Sequence, residues 1–248
     1  MADNARNELT GPPSEAVLIS GASSGIGLAT AKALLLDGYT VIGLARSFEH
    51  TQFKHPNFRT ECLDLCDLDE LPQHAKTILA SLKTPLRAVI NNAGVGKMGY
   101  LEQLSIGDIQ QTFQTNLLSH VILTKAVLPY LKQQNSLSDL VFLGSEAALK
   151  GAQQGSIYCA SKFALRGFAQ ALREECAKSS VRVSIVNPGA VRTEFFDELR
   201  FEPGAESDNA ILPEDVAAVL LGILNTRAGT VIDEINLSPM KHVWQRKP

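Results

Sequence analysis

Short apolar runs alternate with helix-patterned segments along almost the whole chain, and no other feature of the sequence restricts the possible folds so strongly. AVLIS (16–20), TVIGLA (40–45), RTECLDL (59–65), RAVINNAG (87–94), DLVFLG (139–144), VRVSIVN (181–187) and TVIDEINL (230–237) read as strands. Between them, the spacing of apolar residues predicts helices over 26–37, 72–82, 105–131 and 156–178, with a last one opening at Pro213-Glu214-Asp215. Strands that are apolar throughout, rather than alternating, belong to a parallel sheet covered by helices on both faces. At 248 residues the chain is long enough for two small domains, but no linker or low-complexity stretch divides it. The expectation is an α/β fold: one doubly wound parallel sheet over 14–248, preceded by a loose lead-in, 1–13.

Composition narrows the partners. A formal net charge of -3 is too mild to imply nucleic acid or an anionic membrane. The longest apolar run, 216–224, is less than half of what a membrane span needs, so no membrane partner is expected. The polar first residues lack an apolar signal core, which points to a cytoplasmic address. Four cysteines are too few for a disulfide scaffold. Cys62 and Cys66 have no second cluster of Cys or His beside them, so no metal is expected.

SGASSGIG (20–27) sets Gly21, Gly25 and Gly27 between the first strand and the first helix. Glycines let a backbone turn sharply and approach a pyrophosphate, whose charge suits the free N–H groups of a helix N-terminus. Ser23 and Ser24 offer hydroxyls, and Ile26 lies within the turn. Taken alone, the motif also fits an ordinary strand-to-helix turn. About twenty residues further on, an NAD site has a carboxylate and an NADP site tends to have Arg. Here the second strand ends in Arg46-Ser47, which favours NADP(H) over NAD.

Tyr158 and Lys162 stand four apart near the start of a helix and so share a face. A nearby ammonium favours the phenolate and lowers a tyrosine pKa from about 10, which makes the pair a proton donor and acceptor. Alcohol oxidation by such a base would quicken as pH rises through the lowered pKa. Ser145 follows the fifth strand, at the sheet edge where doubly wound domains place their sites. Singly, each residue is a weak sign; together with the glycine turn they form a specific one.

On these motifs the chain resembles the short-chain dehydrogenase/reductase family over roughly 14–237, a Rossmann-type fold. SGASSGIG is similar to the family's cofactor turn, NNAG (91–94) to the motif closing its fourth strand, YCASK (158–162) to its YxxxK, and NPGAVRT (187–193) to the segment after its sixth strand. The resemblance implies that Tyr158 is the general acid/base, that Lys162 binds the nicotinamide ribose and that Ser145 polarises the substrate oxygen. It places Asn116 in a proton relay, and Asp64 with Leu65 at the adenine. Asn92, Ala93 and Gly94 would line the cofactor, and Pro188, Gly189, Val191 and Thr193 the nicotinamide end. Ser20 stands where Thr is common, and the hydroxyl is retained. The implied activity is NADP(H)-dependent interconversion of a secondary alcohol and a ketone. A VIDEINLSPM ending is similar to that of serine or 3-hydroxy-acid dehydrogenases; a 3-oxoacyl reductase and a non-catalytic cofactor-binding sensor or scaffold are the alternatives.

Two further expectations concern surfaces. The irregular, Phe-rich stretch within 192–212 reads as a substrate lid, with Arg192 and Arg200 either solvated or facing a substrate carboxylate. The helix over 156–178 has apolar residues on more than one stripe, consistent with a homodimer or homotetramer or with burial inside one subunit.

Overall fold

The computed structural model describes residues 15–134 and 136–247; the expected lead-in lies outside them. The apolar runs form β1 (Ala16–Ser20), β2 (Thr40–Ala45), β3 (Phe58–Cys62), β4 (Leu86–Asn91), β5 (Ser138–Leu143), β6 (Val181–Pro188) and β8 (Glu234–Leu237). A short β7 (Phe201–Pro203) and a β9 (Trp244–Arg246) form a separate antiparallel pair. The main sheet is parallel, in the order β3-β2-β1-β4-β5-β6-β8. This is a single-domain, Rossmann-like doubly wound sheet.

Alternate residues of each central strand feed opposite cores. Leu18, Val89, Leu140 and Phe142 pack on one face, beneath α2 (Leu71–Ala80), α4 (Ser119–Gln133) and α5 (Ser156–Glu175). Val17, Ile19, Ile90 and Val141 pack on the other, against α1 (Gly25–Leu36) and α6 (Pro213–Leu224). With both faces covered, the strands have no polar side to show, which is why they read as unbroken apolar runs. The order reverses between β1 and β4, so their C-terminal ends part and leave a crevice.

At the opposite, N-terminal edge lies a buried ion cluster. Asp139, at 1% side-chain exposure, pairs with both Arg87 and Arg182. Arg182 also donates to the carbonyls of Ile223, Thr226 and Thr230, and Arg87 to that of Leu224, so the two guanidiniums cap the C-terminal end of α6.

Several boundaries differ from expectation. The third strand stops at Cys62, and the following Asp64 turns the chain by accepting from the Cys66 N–H at 2.9 Å. The last strand keeps only Glu234–Leu237, and ahead of it the carbonyls of Thr226, Arg227 and Thr230 accept from the Arg182 guanidinium. The long helix expected over 105–131 is α3 (Ile106–Phe113), one π turn (Gln114–Leu118) and then α4. A wider turn carries an extra residue and reorients the side chains around it, and such turns gather at functional sites. Asn116 sits at its centre.

Candidate active site

The site is built where β1 and β4 end. Ser20 is fully buried, and its hydroxyl accepts from the backbone N–H groups of Asn92 (2.9 Å) and Ala93 (3.1 Å). In return the Asn92 amide donates to the carbonyls of Ser20 (3.0 Å) and Gly21 (3.1 Å). The hydroxyl that Ser20 retains is therefore in use, binding the glycine turn to the loop after β4. Gly21 and Gly25 have φ of 69° and 50°, where a side chain is strained. Ser24 caps α1 without a side-chain hydrogen bond, and no acidic residue occupies the first helical turn. The amides there remain open to an anion.

Gly21, Ser23, Ser24, Gly25 and Ile26 line one side of an open cleft of about 1650 Å³. Arg46, Asp64 and Leu65 line the same cleft, as do Asn92, Ala93 and Gly94. Pro188, Gly189, Val191 and Thr193 close it from the β6 side. Ser47 does not line the cleft; its hydroxyl accepts from the Glu49 N–H. Gly27 is buried beneath the turn, against the Gly21 carbonyl.

Ser145, Tyr158 and Lys162 face this cleft together. Ser145 leaves β5 in extended conformation and its hydroxyl accepts from Ala147 N–H at 3.1 Å. Tyr158 and Lys162 lie one turn apart on α5, 8% and 4% exposed, with the ammonium nitrogen 5.9 Å from the phenol ring centre. Lys162 donates to the Leu143 carbonyl at 2.8 Å, which fixes its head at the end of β5. Burial pushes the Tyr158 phenol up to about 12, with the Ser145 hydrogen bond working the other way. Burial likewise pulls Lys162 down to about 8. The shift in the tyrosine is thus opposite to the one expected from a lysine neighbour, desolvation of the phenolate being its largest cause. Such a site holds a neutral phenol, the form that gives a proton.

Asn116 lies behind these groups and does not line the cleft. Its amide oxygen accepts from Val95 N–H at 2.8 Å, and its amide nitrogen donates to the Val95 carbonyl and to Ser161 Oγ. Ser161 in turn donates to the Tyr158 carbonyl at 2.7 Å, so the π turn, the β4 loop and α5 are tied through one side chain. A Cβ on Gly94 would stand 3.6 Å from Asn116 Oδ1 and 3.8 Å from Lys162 Nζ, which places the loop, asparagine and lysine side by side.

Two supporting residues carry no sequence motif of their own. Ser161 sits inside YCASK at a position the motif leaves free. His120, one turn beyond Asn116, holds the loop from below: its Nε2 lies 2.9 Å from the Ala93 carbonyl and must donate to it. Burial pulls the imidazole down to about 3, so it is neutral at working pH. Among the described residues no three His, Cys, Asp or Glu side chains gather as metal ligands, and no helix is long and apolar enough to cross a membrane.

The stretch after β6 lies over the cleft. Lys97 of the β4 loop pairs with Glu198 at 2.7 Å across its mouth, and Phe195 packs on the Tyr158 ring at 5.8 Å between centres. Arg192 donates to the carbonyls of Gly204 and Glu206, so it braces this flap and does not face the cleft.

The sequence profile described as short chain dehydrogenase matches residues 15–203. Sepiapterin reductase of Chlorobaculum tepidum is 31% identical over 237 residues, 90% of this chain and 95% of that one. The NADP-dependent 3-hydroxy acid dehydrogenase of Schizosaccharomyces pombe is 31% identical over 252 residues, 93% and 96% of the two chains. An alcohol dehydrogenase from Thermococcus sibiricus, solved with 5-hydroxy-NADP, superposes with a TM-score of 0.80 at 26% identity, over 94% of this chain and 99% of that one. With this match over most of its length, and with the glycine turn and the Ser145, Tyr158, Lys162 group on one cleft, the chain belongs to the short chain dehydrogenase family of oxidoreductases.

Proposed function

We propose that the protein is an NADP(H)-dependent oxidoreductase that interconverts a secondary alcohol and a ketone. The observation that carries this reading is the placement of Ser145, Tyr158 and Lys162 on one cleft whose far side is the glycine turn at the head of α1. The residues fit the dinucleotide: the first turn of α1 is uncapped by any side chain, and the turn beside it needs glycine at φ of 69° and 50°. Gly21, Ser23, Ser24 and Gly25 would hold the diphosphate and Arg46 the 2′-phosphate, with Asp64 and Leu65 at the adenine. Asn92, Ala93, Gly94, Pro188, Gly189, Val191 and Thr193 would line the nicotinamide half. When bound, the nicotinamide supplies the hydride for the carbonyl carbon.

The chain's own residues handle the oxygen. Ser145 donates to the carbonyl oxygen and fixes its position. The neutral Tyr158 phenol gives that oxygen its proton, completing the alcohol, and the phenolate left behind is stabilised by the Lys162 ammonium. In the reverse direction the phenolate takes the hydroxyl proton. Asn116 is a positioning residue that keeps the β4 loop against Lys162.

The protein is also proposed to work as a homodimer or homotetramer. Ala160, Phe163, Ala164, Gly167 and Ala171 are exposed along one side of α5, with Phe163 at 43%, which supports a partner subunit there. Light scattering at micromolar concentration tests it, a monomer being the refuting result. The four free thiols suit a reducing compartment such as the cytoplasm.

The test of function mixes the protein with NADPH or NADH and a panel of ketones and β-keto acids, following absorbance. Turnover with NADPH is expected, and Tyr158→Phe is expected to bind NADPH while losing about 10²–10⁴-fold in rate. Absence of both turnover and NADPH binding overturns the reading; a Tyr158→Phe protein that keeps full cellular function favours a sensor.

A further inference from the structure

The last residues of the chain return to the site. β9 pairs antiparallel with β7 of the flap, Phe201 opposite Arg246 and Pro203 opposite Trp244. The pairing is reinforced on both sides. Gly204 N–H donates to the Val243 carbonyl at 2.9 Å, Lys241 N–H to the Asp208 carbonyl at 2.9 Å, and Lys247 Nζ to the Phe196 carbonyl at 2.6 Å. This strand therefore holds the flap from outside and lays Trp244 along the cleft.

An unbroken row of aromatic rings results. From Tyr158 it passes to Phe195 (5.8 Å), Phe196 (5.3 Å) and Trp244 (5.9 Å), and Phe201 stands 5.3 Å from Trp244. Phe196 is buried in the middle, whereas Trp244 keeps 46% of its surface free. Of the cations on this side, Lys97 is paired with Glu198 and Arg192 is taken up by backbone carbonyls, while Arg246 of β9 lines the cleft two residues beyond Trp244. A flat ring would gain edge or offset contacts with several rings at once.

Resting on the proposed alcohol/ketone chemistry, we propose that the C-terminal strand is a wall of the substrate site and that the site selects ketones bearing an aromatic or conjugated group, bound against Phe195 and Trp244. The ring row sets the position of that group, and the catalytic tyrosine at its head meets the carbonyl beside it.

Trp244 is the one tryptophan of the chain, so intrinsic fluorescence reports on β9 directly. In the Tyr158→Phe protein with excess NADP⁺, 1-phenylethanol is expected to shift or quench this emission with saturation, and 2-butanol is not. In the otherwise native enzyme, Trp244→Ala is expected to lower the ratio of kcat/KM for acetophenone over that for butanone about tenfold. Met240→Ala, an exposed change just before the strand, is expected to keep the ratio. No fluorescence response to 1-phenylethanol, or an unchanged ratio in Trp244→Ala, overturns the wall even if ketones are reduced. A saturable fluorescence response in a protein that reduces no ketone supports the wall and removes the proposed reaction instead.

Discussion

Replacing Gly27 by Ala tests the glycine turn as a packed joint rather than a flexible one. An ideal Cβ at Gly27 would lie 2.1 Å from the Gly21 carbonyl oxygen, 2.6 Å from Asn92 Nδ2 and 2.8 Å from the Gly21 carbonyl carbon. Two of these atoms are backbone, so no side chain can swing aside. To regain van der Waals contact, α1 must retreat by roughly 1 Å. Overpacking of this kind costs about 1–3 kcal/mol. Movement at Gly21 also disturbs the Asn92 amide bond to its carbonyl, worth about 1 kcal/mol. The combined loss of about 2–4 kcal/mol corresponds to a fall in Tm of roughly 4–16 °C for a chain of this size. Since the head of α1 moves with the helix, NADPH affinity should also weaken at least tenfold. Gly222→Ala in α6 is the control, because nothing lies within 4 Å of its Cβ position. It should stabilise by up to about 1 kcal/mol. Differential scanning calorimetry on the free protein and calorimetric titration with NADPH read both effects. If Gly27→Ala melts within about a degree of the parent and binds NADPH equally well, the close packing of α1 on the turn is not what sets the site.

Other perturbations reach different parts of the molecule. Asp139→Asn leaves two buried guanidiniums facing each other and should cost about 3–5 kcal/mol, seen as a loss of midpoint in urea unfolding; an unchanged midpoint would show the cluster to be neutral. Arg46→Ala should reduce kcat/KM for NADPH about 10–100-fold and leave NADH nearly unaffected, and equal losses with both cofactors would remove Arg46 from 2′-phosphate recognition. With Lys162 pulled down to about 8 and Tyr158 pushed up to about 12, the group that titrates in the working range is the lysine. Ketone reduction should therefore fall as pH climbs through about 8, where the ammonium is lost, and a flat profile from pH 6 to 10 refutes the assignment. The same shift has a stability sign: the unfolded lysine keeps its proton to about 10.5, so its contribution to stability rises with pH between about 8 and 10.5.

The central strands were legible because a strand covered on both faces has to be apolar along its length. β1, β2 and β6 match the runs AVLIS, TVIGLA and VRVSIVN to within a residue. The site residues were legible for a related reason. Tyr158 and Lys162 need helical spacing, and the turn before α1 needs glycine, so local geometry leaves its mark on local sequence. What escaped depends on contacts between distant segments. Nothing in QTNLL announces a π turn; the extra residue is held by Asn116 reaching Val95 and Ser161, twenty-one and forty-five positions away. β9 is three residues long with no periodicity, and it exists because β7, some forty residues earlier, offers an edge. The direction of the Tyr158 shift was also beyond reach, since it is set by the depth of burial and not by the identity of the neighbour at the next turn.

The two ends of the sheet treat charge in opposite ways, and this follows from what each end must do. At the N-terminal edge, Asp139 keeps its charge in the interior because Arg87 and Arg182 enclose it, and the excess guanidinium donors are spent on carbonyls at the end of α6. That arrangement is fixed and has no spare valence for a ligand. At the C-terminal edge, Tyr158, Lys162 and His120 are buried without any carboxylate hydrogen-bonded to them, and each is driven toward its neutral form. Buried groups without a fixed counter-ion keep open the option to gain or lose a proton when a substrate oxygen arrives, which a satisfied ion pair does not. Substitutions at Arg87, Asp139 and Arg182 should therefore lower stability while leaving the activity per folded molecule intact. Conservative changes at Tyr158 should do the reverse. Melting temperatures and active-site-titrated rates for both sets separate the two effects, and a Tyr158→Phe protein that melts like Asp139→Asn would contradict this division of labour.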